Sequence, residues 1–168
     1  DHLGWVRAHQ QVAVYHDCEA AISAGAPVNS VIVLAVKPQM MDEAIAAFGP
    51  LRDEKTAFLS IAAGISTAWL KARLGADTPV FRAMPNTPAA IGRGVTALYC
   101  DFAVAELSAL AKQLLHTIGT VVAIDDEALM DAVTAVSGSG PAYVFLMAEA
   151  MAAAGVSVGL PEALAKQL

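Results

Sequence analysis

The chain reads as an α/β protein: a parallel sheet with helices on both faces, followed by the start of an all-helical unit. Three observations predict this. Short β-rich runs alternate with helical patterns from residue 11 to residue 124. Several of those runs are apolar throughout, as expected of strands covered on both faces. Everything after residue 124 reads as helix, much of it without a polar face. The boundary is placed so that one unit covers 1–126 and a second begins over 127–168.

The elements follow in order. QVAVY (11–15) is a short β-rich run, and CEAAISA (18–24) is helical, with Asp17 placed as its cap. SVIVLAV (30–36) is a continuous apolar run rich in β-branched residues and predicts a strand covered on both faces. QMMDEAIAAF (39–48) has helical spacing, with Pro38 just inside its start. AFLSIA (57–62) is another buried strand, and STAWLKARL (66–74) is a helix capped by Ser66 or Thr67. PVFRAM (79–84) and VTALYC (95–100) are further strands. AVAELSALAKQLLHTI (103–118) is a long amphipathic helix that Gly119 ends, and TVVAI (120–124) is the last strand. There is no internal repeat and no low-complexity linker.

Composition narrows the function classes. The 168 residues are 57% hydrophobic, so there is ample material for a core, and much of it is alanine, which suits close helix packing. The net charge of -6 and the lack of any Arg/Lys-rich run argue against nucleic acid as a partner. Cys18 and Cys100 lie far apart, which suits reduced thiols in a cytoplasmic protein rather than a disulfide framework or a zinc site. His2, His9, His16 and His116 are scattered, and no metal-ligand spacing is present. The apolar run at 142–148 stops at Glu149, too short to span a bilayer, so no membrane partner is expected. No signal peptide is evident. The opening DHLGWVRAHQ and the closing LPEALAKQL both read as cut ends.

Three loops carry the functional signal. Lys37-Pro38, Ala62-Ala63-Gly64 and Met84-Pro85-Asn86-Thr87-Pro88 each follow a strand. In a parallel sheet they emerge along one carboxyl edge, where open α/β sheets bind ligands. Lys37 places an ammonium for a phosphate or ribose, and Pro38 starts a helix whose free N–H groups favour anions. Taken alone, Lys37 reads more readily as a solvated lysine than as a ligand contact. Small residues at Ala62, Ala63 and Gly64 let the backbone approach a flat ring, or simply make a tight turn. The stiff Met84–Pro88 segment supplies walls and one amide that both donates and accepts. Three such loops in succession favour a groove.

A second motif is SGSGP at 137–141, which reads as a small-residue turn leading into a helix at Pro141. One reading is close packing of a helix start against the sheet. The other is a helix N-terminus open to a substrate anion, with Ser137 and Ser139 as donors. The helix over 142–154 is apolar on nearly every face, so it must be covered by the sheet, by further helices or by a second subunit.

Together, LAVKPQ, SIAAGIS, RAMPNTPAAIGRGVTALY and DAVTAVSGSGPAYVFLMAEAMAAAGVSVGLP, in this order, resemble the pyrroline-5-carboxylate reductases. The resemblance runs from about residue 31 to residue 168, and 1–29 matches weakly. It implies a Rossmann-type domain followed by a helical domain that interlocks with a second subunit, giving a homo-oligomer. It implies reduction of 1-pyrroline-5-carboxylate to L-proline with NADPH, or with NADH, the last step of proline biosynthesis. Carried over by motif, Ala35, Val36, Lys37 and Pro38 lie along the cofactor, with Ala62, Ala63 and Gly64 beside it. Met84, Pro85, Asn86 and Thr87 lie near the nicotinamide. Glu127 matches an acidic position near the substrate pocket, which Ser137, Gly138, Ser139 and Gly140 border.

The departures are specific. The G-x-G-x-x-G fingerprint is absent, and so is the later Ser/Thr/Gly-rich loop in which the family places the substrate carboxylate and a hydroxyl donor, expected beyond Leu168. Cys18 stands near where many members carry a cofactor-contacting Asn, whose two-way hydrogen bonding a thiol does not reproduce. Hydride transfer to a protonated imine needs little acid–base machinery. The protein mainly holds ring against ring at about 3–3.5 Å. This suits a site of small residues, prolines and an amide. Two alternatives stand beside it: a 3-hydroxyacid dehydrogenase relative, which needs a lysine in the helical unit, and a non-catalytic nucleotide-binding module. Beyond Lys112 the chain has only Lys166, in no such context.

Overall fold

The computed structural model describes residues 13, 15, 17–24, 30–48, 56–102 and 104–168. Strands β1 (Ser30–Leu34), β2 (Thr56–Ser60), β3 (Val80–Met84), β4 (Gly94–Cys100) and β5 (Gly119–Ile124) form one sheet in sequence order. A short helix α1 (Cys18–Ser23) precedes them, capped by Asp17, whose carboxylate accepts from the Ala20 N–H at 2.8 Å. Helices α2 (Met41–Ala46), α3 (Thr67–Leu74) and α4 (Ala105–His116) connect β1 to β2, β2 to β3 and β4 to β5, and each of those pairs is parallel.

The connection from β3 to β4 has only a 3₁₀ turn, Thr87–Ile91, and these strands run antiparallel. The sheet is therefore mixed, where the sequence predicts a parallel one. A parallel return needs a crossover of about a dozen residues or more, usually a helix. Residues 85–93 are too few to provide it. The β-rich run expected at 11–15 lies outside the described residues except for Ala13 and Tyr15, neither of which is in a strand.

Strand alternation sorts the side chains into two cores. On one face Leu34, Phe58 and Val80 meet Met41 and Ile45 of α2 and Leu70 and Leu74 of α3. On the other, Leu59, Phe81, Ala83 and Leu98 meet Leu107, Ala111 and Leu115 of α4. β2 and β3 are buried along their whole length. β1 is less covered than predicted, with Val33 41% exposed, because it lies at the edge of the described sheet.

Register gives this sheet a step. Leu34, Ser60, Arg82, Tyr99 and Ile124 pair across all five strands in one row. That row ends β1 and β2. Beyond it β3 continues to Met84, while β4 and β5 reach out to Gly94 and Gly119. The β4–β5 pair thus forms a ledge past the carboxyl ends of β1 and β2. Gly119 opens β5 instead of capping α4. Its φ is 142°, and a β-carbon there would fall 2.0 Å from the Gly94 carbonyl oxygen.

After β5 the chain is helical. A 3₁₀ turn (Glu127–Leu129), α5 (Met130–Val133), a π turn (Thr134–Gly138) and α6 (Gly140–Ser157) form one continuous stretch, and α7 (Glu162–Ala165) folds back on α6. The sheet does not cover α6: Phe145, Leu146, Met147 and Met151 are 60–67% exposed.

Candidate active site at the carboxyl edge of the sheet

The Met84–Thr87 loop is held from both ends. Met84 is buried at the end of β3, and Asn86 stands at the start of the 3₁₀ turn that Gly92 closes in a left-handed conformation, φ 68°. The Asn86 amide oxygen accepts from the Val95 N–H at 2.9 Å, and its Nδ2 donates to Ser137 Oγ at 3.4 Å. One side chain thus joins the loop, the ledge and the helical segment.

The Ser/Gly segment leads into α6 as expected, but through a π turn continuous with the helix before it. Ser139 N–H donates to the Thr134 carbonyl at 2.9 Å, the i→i−5 bond of a π turn, and Ala142 N–H donates to the Ser139 carbonyl. These two N–H groups are engaged within the helix and are not free for an anion, which weakens one of the two readings from sequence. Pro141 explains the widened turn. It has no N–H to donate one turn back, and its ring crowds the Ser137 carbonyl in a regular helix. π bulges inside α-helices occur frequently at functional sites. Here the bulge lays Gly138 against Met84, where a β-carbon would sit 3.5 Å from the sulfur. Close packing against the sheet, one of the two readings from sequence, is what the segment does.

Between these parts lies a cleft of about 710 Å³, lined by Met84, Pro85, Asn86, Thr87, Gly138 and Ser139 among the expected residues. Its size is ordinary for a small-molecule or cofactor site. Ile61, Ala89, Ala90, Ile118 and Thr134 also line it. Sequence reasoning missed these. Ile118 is there because the reversal of β4 puts the start of β5 at this edge.

The remaining expected residues lie outside this cleft. Ala63 and Gly64 are exposed, and Gly64 has φ 74° with open space around it. Ala62 is buried in the core beside Leu34 and Phe58 and presents no side chain to a ligand. Ala35 and Lys37 are exposed, Pro38 begins a 3₁₀ turn, and Val36 packs against the α2–α3 core. Ser137 borders the cleft through Asn86, and Gly140 begins α6.

Glu127 is engaged by protein groups. Oε1 accepts from Arg82 Nη1 at 2.7 Å and from the Thr67 N–H at 2.8 Å, while Oε2 accepts from Thr67 Oγ1 at 2.5 Å. Partial burial raises the carboxyl pKa, but the bonds from Thr67 and Arg82 and the Arg82 charge outweigh it and hold it below the ordinary carboxylate value. The group is ionised near neutral pH. A second hollow, about 850 Å³ between α6 and α7, is walled mostly by apolar residues such as Met151 and Leu160 and belongs to the exposed helical surface. Among the described residues no group of His, Cys, Asp and Glu is arranged to hold a metal ion.

Comparison with known proteins places this architecture. The family described as pyrroline-5-carboxylate reductase dimerisation matches residues 127–168. A pyrroline-5-carboxylate reductase of Pseudomonas aeruginosa is 48% identical over 142 residues, covering 82% of this chain and 51% of that protein. A solved reductase from Coxiella burnetii superposes with a TM-score of 0.81 at 30% identity, over 93% of this chain and 57% of that one. The Plasmodium falciparum enzyme, solved with NADP bound, gives 0.75 at 31% identity, over 81% and 54%. The chain spans about half the length of the curated relatives it matches. Over that half, the chain belongs to the pyrroline-5-carboxylate reductase family.

Proposed function

We propose that this chain is part of an enzyme that reduces 1-pyrroline-5-carboxylate to L-proline with NADPH, with NADH as a possible substitute. One observation carries this reading: the Met84–Thr87 loop and the Gly138–Ser139 turn, far apart in sequence, wall a single cleft at the carboxyl edge. The open turn at Ala63 and Gly64 lies on the same edge.

The residues fit a nicotinamide nucleotide. Gly64 would accommodate even a β-carbon without contact, so the backbone there is free to meet a flat or charged group. Lys37 is an exposed cation at the end of β1. Ala35, Lys37, Ala63 and Gly64 would hold the nucleotide, and Met84, Pro85, Asn86 and Thr87 would wall the ring. When bound, the dinucleotide supplies the hydride that adds to the imine carbon. The chain's part is to orient and to exclude water. Pro85 and Pro88 stiffen the wall, and Asn86 fixes it to Val95 and Ser137.

The division at 126/127, the cytoplasmic location and homo-oligomerisation belong to the same proposal. Among the described residues, Glu127–Ser157 is the one helical stretch long and apolar enough to cross a bilayer, 31 residues that include an 18-residue window with a mean hydropathy of 1.2. Burial against a second subunit answers the same apolar surface, and the dimerisation match over 127–168 favours that cover. The hydroxyacid reading fares worse: Lys166 is exposed just past α7 and paired with Glu162 at 2.6 Å, and it does not line the cleft.

The test is oxidation of NADPH and NADH by the complete enzyme, given pyrroline-5-carboxylate beside a panel of 3-hydroxyacids. Turnover of the imine alone supports the proposal. Turnover of a hydroxyacid, or of neither, removes it and leaves a shared scaffold.

A further inference from the structure

Arg82 is a charged residue in the middle of a fully buried strand, its side chain only 8% exposed. Burying an ion pair rarely adds stability over an apolar pair of the same volume, so its presence asks for another reason. Its partner Glu127 lies 45 residues away, and the three hydrogen bonds on that carboxylate come from two elements. Thr67 is the first residue of α3, directly after the loop that carries Ala63 and Gly64, and its N–H is one of the helix's free donors. Arg82 lies two residues before Met84, where the Met84–Thr87 loop begins. Glu127 itself opens the helical stretch that carries Ser137, Gly138 and Ser139. Three parts of the candidate site therefore meet at one carboxylate, which does not line the cleft.

We propose that Arg82, acting through Glu127, is a positioning residue for the reduction, holding the Ala63–Gly64 turn, the Met84–Thr87 loop and the Ser137–Ser139 π turn in one register. The inference rests on the functional reading above. It gives Glu127 a role distinct from substrate contact: the carboxylate orients the walls. The charge of Arg82 and the two donors of Thr67 are what it needs to do so.

The experiment uses the complete enzyme with Arg82→Met, Arg82→Lys, Glu127→Gln and the double variant Arg82→Met/Glu127→Gln. Wild-type turnover of the imine is established first, so that failure of the functional reading is recognised before any variant is judged. Two readouts follow: kcat and KM for each substrate, and amide hydrogen exchange by peptide. A lowering of kcat/KM by tenfold or more is expected for Arg82→Met, with the double variant no worse than that single variant and Arg82→Lys recovering part of the loss. Exchange is expected to quicken together at 61–68, 84–95 and 134–142, while α4 keeps its protection. The proposal is overturned if kcat/KM of Arg82→Met stays within twofold of wild type, if the losses of the two single variants multiply in the double variant, or if exchange rises equally in α4. Should Arg82→Met fail to fold, Glu127→Gln, which keeps the side-chain shape, is judged by the same criteria.

Discussion

The amide oxygen of Asn86 accepts the backbone N–H of Val95 at 2.9 Å, tying the loop after β3 to the first turn of the ledge. The neighbouring Nδ2 reaches Ser137 in the helical segment. Asn86→Ala removes both contacts and leaves the Val95 N–H to water. A stability loss of about 1–2 kcal/mol is expected in urea unfolding, at matched protein concentration. In the complete enzyme kcat should fall about 10- to 100-fold, because the wall of the cleft loses its anchor. Unchanged kinetics would remove Asn86 from the account.

Gly119 and Gly94 cross so closely that no β-carbon fits between them. Gly119→Ala adds a clash with backbone and places a side chain at φ 142°. The expected cost is about 2–4 kcal/mol, read as a lower urea midpoint or as loss of soluble protein. A wild-type midpoint would mean that the ledge is not built this way.

Thr96 is fully buried under α4, and its hydroxyl has no hydrogen-bond partner among the described residues. Thr96→Val keeps the shape and removes the orphaned group. A gain of about 1 kcal/mol is expected by the same unfolding measurement. A loss would show that the hydroxyl has a partner in solution.

The Glu127 carboxyl is held below its ordinary value of 4.5 in the folded chain. A depressed folded pKa contributes stability that is complete above the unfolded value and is lost as pH falls through the folded one. Wild type should therefore exceed Glu127→Gln by about 1–3 kcal/mol at pH 7, and the gap should close progressively below about pH 4. A gap independent of pH from 7 to 3.5 would contradict an ionised carboxylate at this position.

Much of the fold was legible in sequence because it is local. The apolar runs at 30–36 and 57–62, the caps at Asp17 and Ser66 and the periodicity of α4 each follow from neighbouring residues. The reversal of β4 was not legible from the strand itself, since an apolar run carries no direction. Its signal was the short link at 85–93, too brief for a helical crossover. The π turn was hidden because SGSGP reads as a break, whereas Pro141 is absorbed by a wider turn in a continuous helix. Loop residues Met84 to Thr87, singled out by motif, line the cleft. Ile118 and Thr134 reach the cleft only through topology, and the Arg82–Glu127 pair spans 45 residues with no local pattern to announce it.

The central claim is that the nicotinamide ring lies in the cleft between the Met84–Thr87 loop and the Gly138–Ser139 turn. A crystal structure of the complete enzyme with dinucleotide and L-proline tests it most directly. The ring should lie against Met84, Pro85 and Asn86, with the product ring about 3–3.5 Å from it and bordered by Gly138 and Ser139. A ring bound elsewhere, with this cleft taking neither molecule, would contradict the account.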